Sequence, residues 1–256
     1  MKIVKICGGL GNQMFQYAFT HALKTTAIDK NIFIDISLYK TSLVRGGINF
    51  CHNGFELERV FGLPVSTEIA SENDIKKLST PADTFFHRLR RKYLTKKTHF
   101  IDKTFFFKSD FFTDTSDLYL EGYWQSHLYF NHLENQIHQL FSFALPLSAK
   151  SEEAFSLAGS NPVSIHVRRG DYLNSENLNV CTKEYFQNAI SQMILECEKE
   201  QKPVTHFLVF SDDIEWCKNN LNVHNIPVTF VDWNKGQDSW QDMALMSKCN
   251  HNIIAN

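Results

Sequence analysis

From Pro162 onward, strand-like and helix-like segments alternate without a break, and this constrains the fold more than any other feature of the chain. Val163, Ile165 and Val167 alternate with Ser164, His166 and Arg168, the period of two of a strand with one apolar and one polar face. A stretch of helical period follows, with Tyr185, Phe186, Ala189, Ile190, Met193, Ile194 and Cys197 on one face. Next come a strand over 206–210, a helix through Trp216 to Leu221 for which Asp212 and Glu215 form a capping pattern, a strand over 228–231, a helix over about 239–248 and a last strand at 252–255. Strict alternation of this kind predicts a parallel sheet with helices on both faces.

A similar unit opens the chain. Strand 2–6 runs into Cys7-Gly-Gly-Leu-Gly-Asn-Gln13, then Met14, Phe15, Tyr17, Ala18, His21 and Ala22 keep helical spacing, and 31–35 resumes as a strand. Such a layout presents backbone N–H groups and a helix N-terminus to phosphate. It is neither a dinucleotide fingerprint, since Met14 occupies the third glycine position, nor a P-loop, since no Gly-Lys-Ser/Thr follows. A tight turn would explain Gly9 and Gly11 equally well. Asn12 and Gln13 at the helix entrance favour a polar ligand, with an N-cap as the alternative for Asn12.

The middle is weakly patterned. Residues 55–64 read as a short helix stopped by Gly-Leu-Pro, 127–143 as a helix, and 146–160 as a linker or short helix. The basic run 88–97 is either a solvated surface or a peripheral contact with an anionic membrane. The strand 118–126 ends in aromatic and hydrogen-bonding residues, a carbohydrate platform or simply core. Two βα regions flanking a weakly patterned stretch predict two domains, 1–160 and 161–256, with a nucleotide-activated substrate in a cleft between them.

Composition narrows the class. A net charge of −2 argues against a nucleic-acid binder. The six cysteines are scattered singly, which predicts reduced, mostly buried thiols and a cytoplasmic setting. No apolar run approaches the roughly 18 residues of a membrane span, and the N-terminus enters a strand directly rather than a secretory signal.

The chemistry concentrates beyond the strand at 163–167, where Arg168, Arg169, Gly170 and Asp171 follow. Ligands of open α/β sheets bind just outside the carboxyl ends of the strands. Successive strand residues point to opposite faces, so Arg168, on the His166 side, is expected to meet an anionic ligand. Arg169 is expected to pack or pair internally, with Asp171 one partner within reach. A structural ion-pair cluster accounts for the same residues. An Arg-Gly-Asp adhesion site does not fit, since it needs an exposed loop and this tripeptide abuts an apolar strand.

Five segments, in order, resemble the signatures of the α1,2-fucosyltransferases of glycosyltransferase family 11. They are Cys7-Gly-Gly-Leu-Gly-Asn-Gln-Met-Phe-Gln-Tyr-Ala18, Glu121-Gly-Tyr-Trp-Gln-Ser126, His166-Val-Arg-Arg-Gly-Asp-Tyr172, Phe210-Ser-Asp-Asp213, and Gln241-Asp-Met-Ala-Leu-Met-Ser-Lys-Cys249 through Ile253-Ile-Ala-Asn256. The resemblance implies a GT-B-like α/β architecture and inverting transfer of L-fucose from GDP-fucose to O2 of a galactoside. The acceptor would be a galactose-containing oligosaccharide or lipid-linked glycan, in surface glycan or O-antigen synthesis. It places the donor region in 161–256 and the probable acceptor region in 1–160.

No metal cofactor is implied, and the absence of any Asp-x-Asp agrees with that. By resemblance Arg168 contacts the diphosphate, while His166 and Asp242 hold the guanine. Arg169, Ser211, Asp212, Gly9, Gly11, Asn12 and Gln13 complete the expected nucleotide-sugar set. For the catalytic base, Asp171, Glu176 and His166 are all open, and Asp171 is preferred. Family members continue beyond the position of Asn256 with a Ser-Thr-Phe-Ser-Trp-Trp-like phosphate-binding segment. The sequence stops short of it, so the expectation is an incomplete second sheet, with low activity and solubility. Two other readings remain at this point: a transferase for a different nucleoside-diphosphate sugar, and an inactive nucleotide-sugar or glycan-binding protein.

Overall fold

The computed structural model describes residues 1–40, 44–45, 48–49, 52–81, 94–104, 106–174 and 180–255. The chain divides into two compact units, Met1–Leu145 and Pro146–Asn256. The division falls ahead of the helix in 149–157, and that helix packs within the second unit.

In the first unit, β1 (Lys2–Lys5) lies between β2 (Ile32–Asp35) and β6 (Leu118–Glu121), and β5 (His99–Ile101) pairs with the outer side of β6, all parallel. A two-stranded antiparallel ribbon, β3 (Val44–Arg45) and β4 (Ile48–Asn49), stands apart. Helix α1 (Leu10–Thr26) follows the glycine loop. Its N-cap is Gly9, not Asn12, which lies inside the first turn and accepts a 2.8 Å hydrogen bond from Gln125 Nε2. Helix α2 (Leu57–Phe61) ends as expected at Gly62, whose φ of 67° and N–H to Glu58 O complete a left-handed cap. Helix α3 (Glu72–Leu78) is capped by the Ser71 hydroxyl, which accepts from Asp74 N–H.

The expected helix over 127–143 is broken into two 3₁₀ turns, His127–Tyr129 and Asn131–Leu133, before α4 (Glu134–Leu140). Tertiary packing overrides helical propensity there, because Tyr129 and Leu133 are drawn into the core. Tyr129 and Trp124 pack on Phe19 of α1, Trp124 stacked at 4.4 Å and 20°. With 1% of its surface exposed, Trp124 is core and not a carbohydrate platform.

The second unit is the parallel sheet predicted. β7 (Pro162–Val167) sits between β10 (His251–Ile253) and β8 (His206–Ser211), with β9 (Val228–Val231) outside β8. Helices cover both faces. Val163, Ile165, Val167, Phe207 and Val209 pack with Phe186, Ile190 and Cys197 of α6 (Lys183–Lys199) and Cys217 of α7 (Ile214–Asn220). Leu208, Phe210 and Val231 pack with Ala158, after α5 (Ala149–Leu157), and Leu245 of α8 (Trp240–Lys248). Each fully buried aliphatic or aromatic side chain contributes about 1.5–3 kcal/mol. On the other face of β7 Ser164 is buried and donates to Asn252 Oδ1, and only the strand's end, at His166 and the following Arg168, is open for chemistry.

Because β7 leads to β8 on one side while β10 lies on the other, the sheet switches direction between β7 and β10, where a ligand crevice forms in this class of sheet. The cap of α7 is Asp213, accepting from Trp216 N–H at 3.1 Å, one residue beyond the expected Asp212. No helix among the described residues is long and apolar enough to cross a membrane.

Candidate functional site

A cavity of about 900 Å³ opens at the carboxyl ends of the second unit's strands, lined by His166, Arg168, Ser211, Asp212 and Asp242 among others. Five residues singled out from sequence therefore meet in one place. The period of two in β7 delivers His166 and Arg168 to this side, and the following turn is shaped around one carboxylate. Asp212 Oδ1 accepts from the Arg169 backbone N–H at 2.9 Å, and Oδ2 lies 3.1 Å from the Arg168 guanidinium. Gly170 permits this contact: a Cβ there would stand 2.6 Å from Asp212 Oδ2. Asp212 thus holds the turn and orients the Arg168 fork. Arg168 also lies over the Tyr172 ring at 5.5 Å.

Arg169 turns the other way. Its Nε is 3.1 Å from Asp213 Oδ2 and its guanidinium stacks 4.2 Å over the Trp216 ring. The internal role expected is observed, with Asp213 and Trp216 as partners. Asp171 opens a 3₁₀ turn, Asp171–Asn174, immediately after this strand end; its side chain, Glu176 and residues 88–93 of the basic run lie outside the described residues. Of the rest of that run, Lys96 donates to Lys76 O and Lys77 O at 2.7 and 2.9 Å.

Two titratable groups in the cavity are shifted. Burial, reinforced by the Arg168 charge and opposed by Asp212, pushes the His166 imidazole below its ordinary value, which keeps it neutral at pH 7. Burial pushes Asp242 from 3.8 up to about 6, against the hydrogen bond it accepts at 2.8 Å from Asn234 Nδ2. Asp242 stands in the first turn of α8, where the helix dipole favours negative charge.

Sequence reasoning missed Asn234, Lys235 and Ser239, which line the same cavity from the segment between β9 and α8. Only proximity to a strand end signals them. Lys235 adds a second cation to the cavity lining. No group of three His, Cys, Asp or Glu side chains among the described residues is placed to hold a metal ion.

The glycine loop follows β1 at the carboxyl end of the first unit's sheet. Gly8 is its constrained position: φ is 85°, and a Cβ would lie 2.5 Å from Asn12 Nδ2. At Gly11 a Cβ would meet nothing within 4 Å. Gln13, expected to bind the nucleotide sugar, is instead buried and committed to the backbone. Its Nε2 donates to Gly8 O and Gly54 O at 3.1 and 2.9 Å, and its Oε1 accepts from Glu56 N–H at 2.9 Å. Gln16 does the same one turn on, accepting from Cys7 N–H and donating to Gly122 O at 2.8 and 3.1 Å.

Comparison with known proteins places this geometry. Residues 64–256 match the family model for glycosyl transferase family 11. An alpha-1,2-colitosyltransferase of Escherichia coli is 31% identical over 99% of this chain and 83% of its own length. The human galactoside alpha-(1,2)-fucosyltransferase 1 is 31% identical over 57% of this chain and 42% of its own length. Among solved structures, the fucosyltransferase NodZ from Bradyrhizobium aligns over 98% of this chain and 86% of that one with a TM-score of 0.50 at 15% identity, a likeness of fold. The chain is a glycosyltransferase of GT-B-like α/β architecture. It belongs to glycosyl transferase family 11.

Proposed function

We propose that this chain transfers a 6-deoxy-L-galactose-type sugar, L-fucose or its 3-deoxy analogue colitose, from its GDP ester to O2 of a galactoside, with inversion and without a metal. The observation that carries the reading is the meeting of Arg168, His166 and Asp242 in one cavity at the switch point of the second sheet. A carboxylate accepts naturally from the N1–H and N2–H₂ edge of guanine. A guanidinium fork pairs with diphosphate and, with Lys235, stabilises the charge that develops on the leaving group. The 31% identical colitosyltransferase supports the α1,2 linkage and the deoxysugar class.

In this reading the neutral His166 imidazole hydrogen-bonds the base without adding charge. Gly9, Gly11 and Asn12 belong to the acceptor-side unit, and Asp171 is the general base that takes the acceptor proton as the C1–O bond breaks. The protein acts in the cytoplasm, with the basic run 88–97 contacting an anionic membrane when the acceptor is lipid-linked.

A donor panel in EDTA, comprising GDP-fucose, GDP-colitose, GDP-mannose and UDP-galactose with a β-galactoside acceptor, tests this. The expected outcome is transfer from a GDP-6-deoxysugar, with an α1,2 linkage in the product by NMR. Turnover of the uridine donor alone, or a strict metal requirement, would overturn it.

A further inference from the structure

The first turn of α8 is tied at two adjacent residues to the N-terminal turn of α5. Gln241 Oε1 accepts from the Ser148 backbone N–H at 2.7 Å. Asp242 is tied indirectly: Asn234 Nδ2 donates to its Oδ1 at 2.8 Å, and Asn234 Oδ1 accepts from the Ser151 hydroxyl at 3.2 Å. Ser151 Oγ in turn accepts from Trp233 Nε1 and from the Ser148 hydroxyl, each at 3.0 Å. Ser151 is fully buried and Asn234 is 8% exposed, so water does not compete effectively for these bonds. The single Ser151 hydroxyl hydrogen fixes which end of the Asn234 amide is the acceptor, and therefore which end must donate to Asp242.

We propose that Asn234 is a positioning residue for nucleotide recognition: anchored through Ser151 to the start of α5, it holds the Asp242 carboxylate in the orientation and charge state that reads guanine. The proposal rests on the reading of Asp242 as the guanine-binding carboxylate. Chemically, a donor on Oδ1 stabilises the ionised acid against burial and fixes the carboxylate plane, leaving Oδ2 and the second lone pair of Oδ1 for the base edge. An unpinned, half-buried acid would protonate near neutral pH and present a donor to the N–H donors of guanine. Charged and titratable groups around Asp242 are His166 and Arg168 at the β7 end, Asp212, Asp213 and Glu215 at the β8–α7 turn, and Asp232 and Lys235 after β9. Lys150, Glu152 and Glu153 lie on α5. The shift of Asp242 has two causes, burial against ionisation and the Asn234 hydrogen bond for it, so Asn234 is the group that favours the charged form.

The test is GDP-fucose affinity, by calorimetry from pH 5 to 8.5, for wild type, Asn234→Leu, Ser151→Ala and Asp242→Asn. The donor ester is the probe because the terminal phosphate of free GDP itself titrates near pH ~6. Wild-type affinity should fall on the acid side with a midpoint near 6. Asn234→Leu should move that midpoint up by about one pH unit, weakening binding about 2-fold at pH 7 and up to ~10-fold at pH 5, with recovery towards pH 8.5. Ser151→Ala should move it the same way by less, and decides the matter if Asn234→Leu does not fold. A merely structural role would weaken binding evenly across pH, and that result, or an unmoved midpoint in both variants, refutes the proposal. Asp242→Asn checks the reading beneath: if it keeps both the acid limb and the preference for GDP over UDP, the guanine assignment fails on its own account.

Discussion

Replacing Asp242 with asparagine should make the protein more stable at neutral and alkaline pH while removing its nucleotide selectivity. Folding raises this carboxyl from 3.8 to about 6 through burial. A raised acid pKa means that the native state binds the proton more tightly than the unfolded chain. Asp242 therefore imposes no penalty below pH 3.8, and stability declines as pH rises from there through about 6. At pH 8 the full difference corresponds to about 3 kcal/mol. Asparagine keeps the shape and an acceptor for Asn234 Nδ2, and the charge it gives up on that hydrogen bond is already counted in the value of about 6. The expected gain is about 3 kcal/mol at pH 8, shrinking to well under ~1 kcal/mol by pH 4. Urea unfolding of both proteins across that range measures it, by tryptophan fluorescence, since Trp216, Trp233 and Trp240 all lie in the second unit. A variant no more stable than wild type at pH 8, or a gap that widens towards acid, would refute the reasoning.

Arg168→Lys keeps the positive charge but loses the planar fork that Asp212 orients, so kcat/KM for the GDP-sugar donor should fall by ~100-fold or more with the unfolding midpoint little changed. Normal turnover would remove Arg168 from the diphosphate role. The two glycines of the first loop should behave oppositely. Gly8→Ala forces a side chain onto a φ of 85° and into Asn12, and should cost about 1–3 kcal/mol by thermal unfolding. Gly11→Ala enters open space inside α1 and should be neutral or stabilising by up to ~1 kcal/mol. If Gly11 serves close approach to a ligand, that variant should lose transferase activity despite its stability, and undiminished activity would end the assignment.

The second sheet was legible because its order is written in local periodicity: Val163, Ile165 and Val167 mark an inward face whatever surrounds them, and α6 repeats its apolar residues at helical spacing. The breaks in the 127–143 region were not legible, because Tyr129 leaves the helical path to pack on Phe19, more than a hundred residues earlier in the chain, and Leu133 is buried as well. The glutamines illustrate the same limit. Gln13 and Gln16 beside a glycine loop look like ligand donors, yet their amides satisfy backbone groups at Gly54, Glu56 and Gly122, contacts that no local pattern encodes.

A further regularity runs through the second unit: chemistry-bearing residues come in adjacent pairs whose members take different partners. Arg168 faces the cavity while Arg169 stacks on Trp216. Asp212 orients Arg168 while Asp213 caps α7 and pairs with Arg169. Asp242 lines the cavity while Gln241 grips the α5 turn. In β7 the cause is the alternation of a strand, and in α8 the roughly 100° step between successive helical residues. The outward member of each pair immobilises the backbone from which the inward member projects, and this lets a solvent-open cavity hold a guanidinium and a half-buried carboxylate in fixed register. Motif recognition finds such pairs but treats both members alike, which is why Arg169 stood beside Arg168 in the expected ligand set although its guanidinium packs on Trp216.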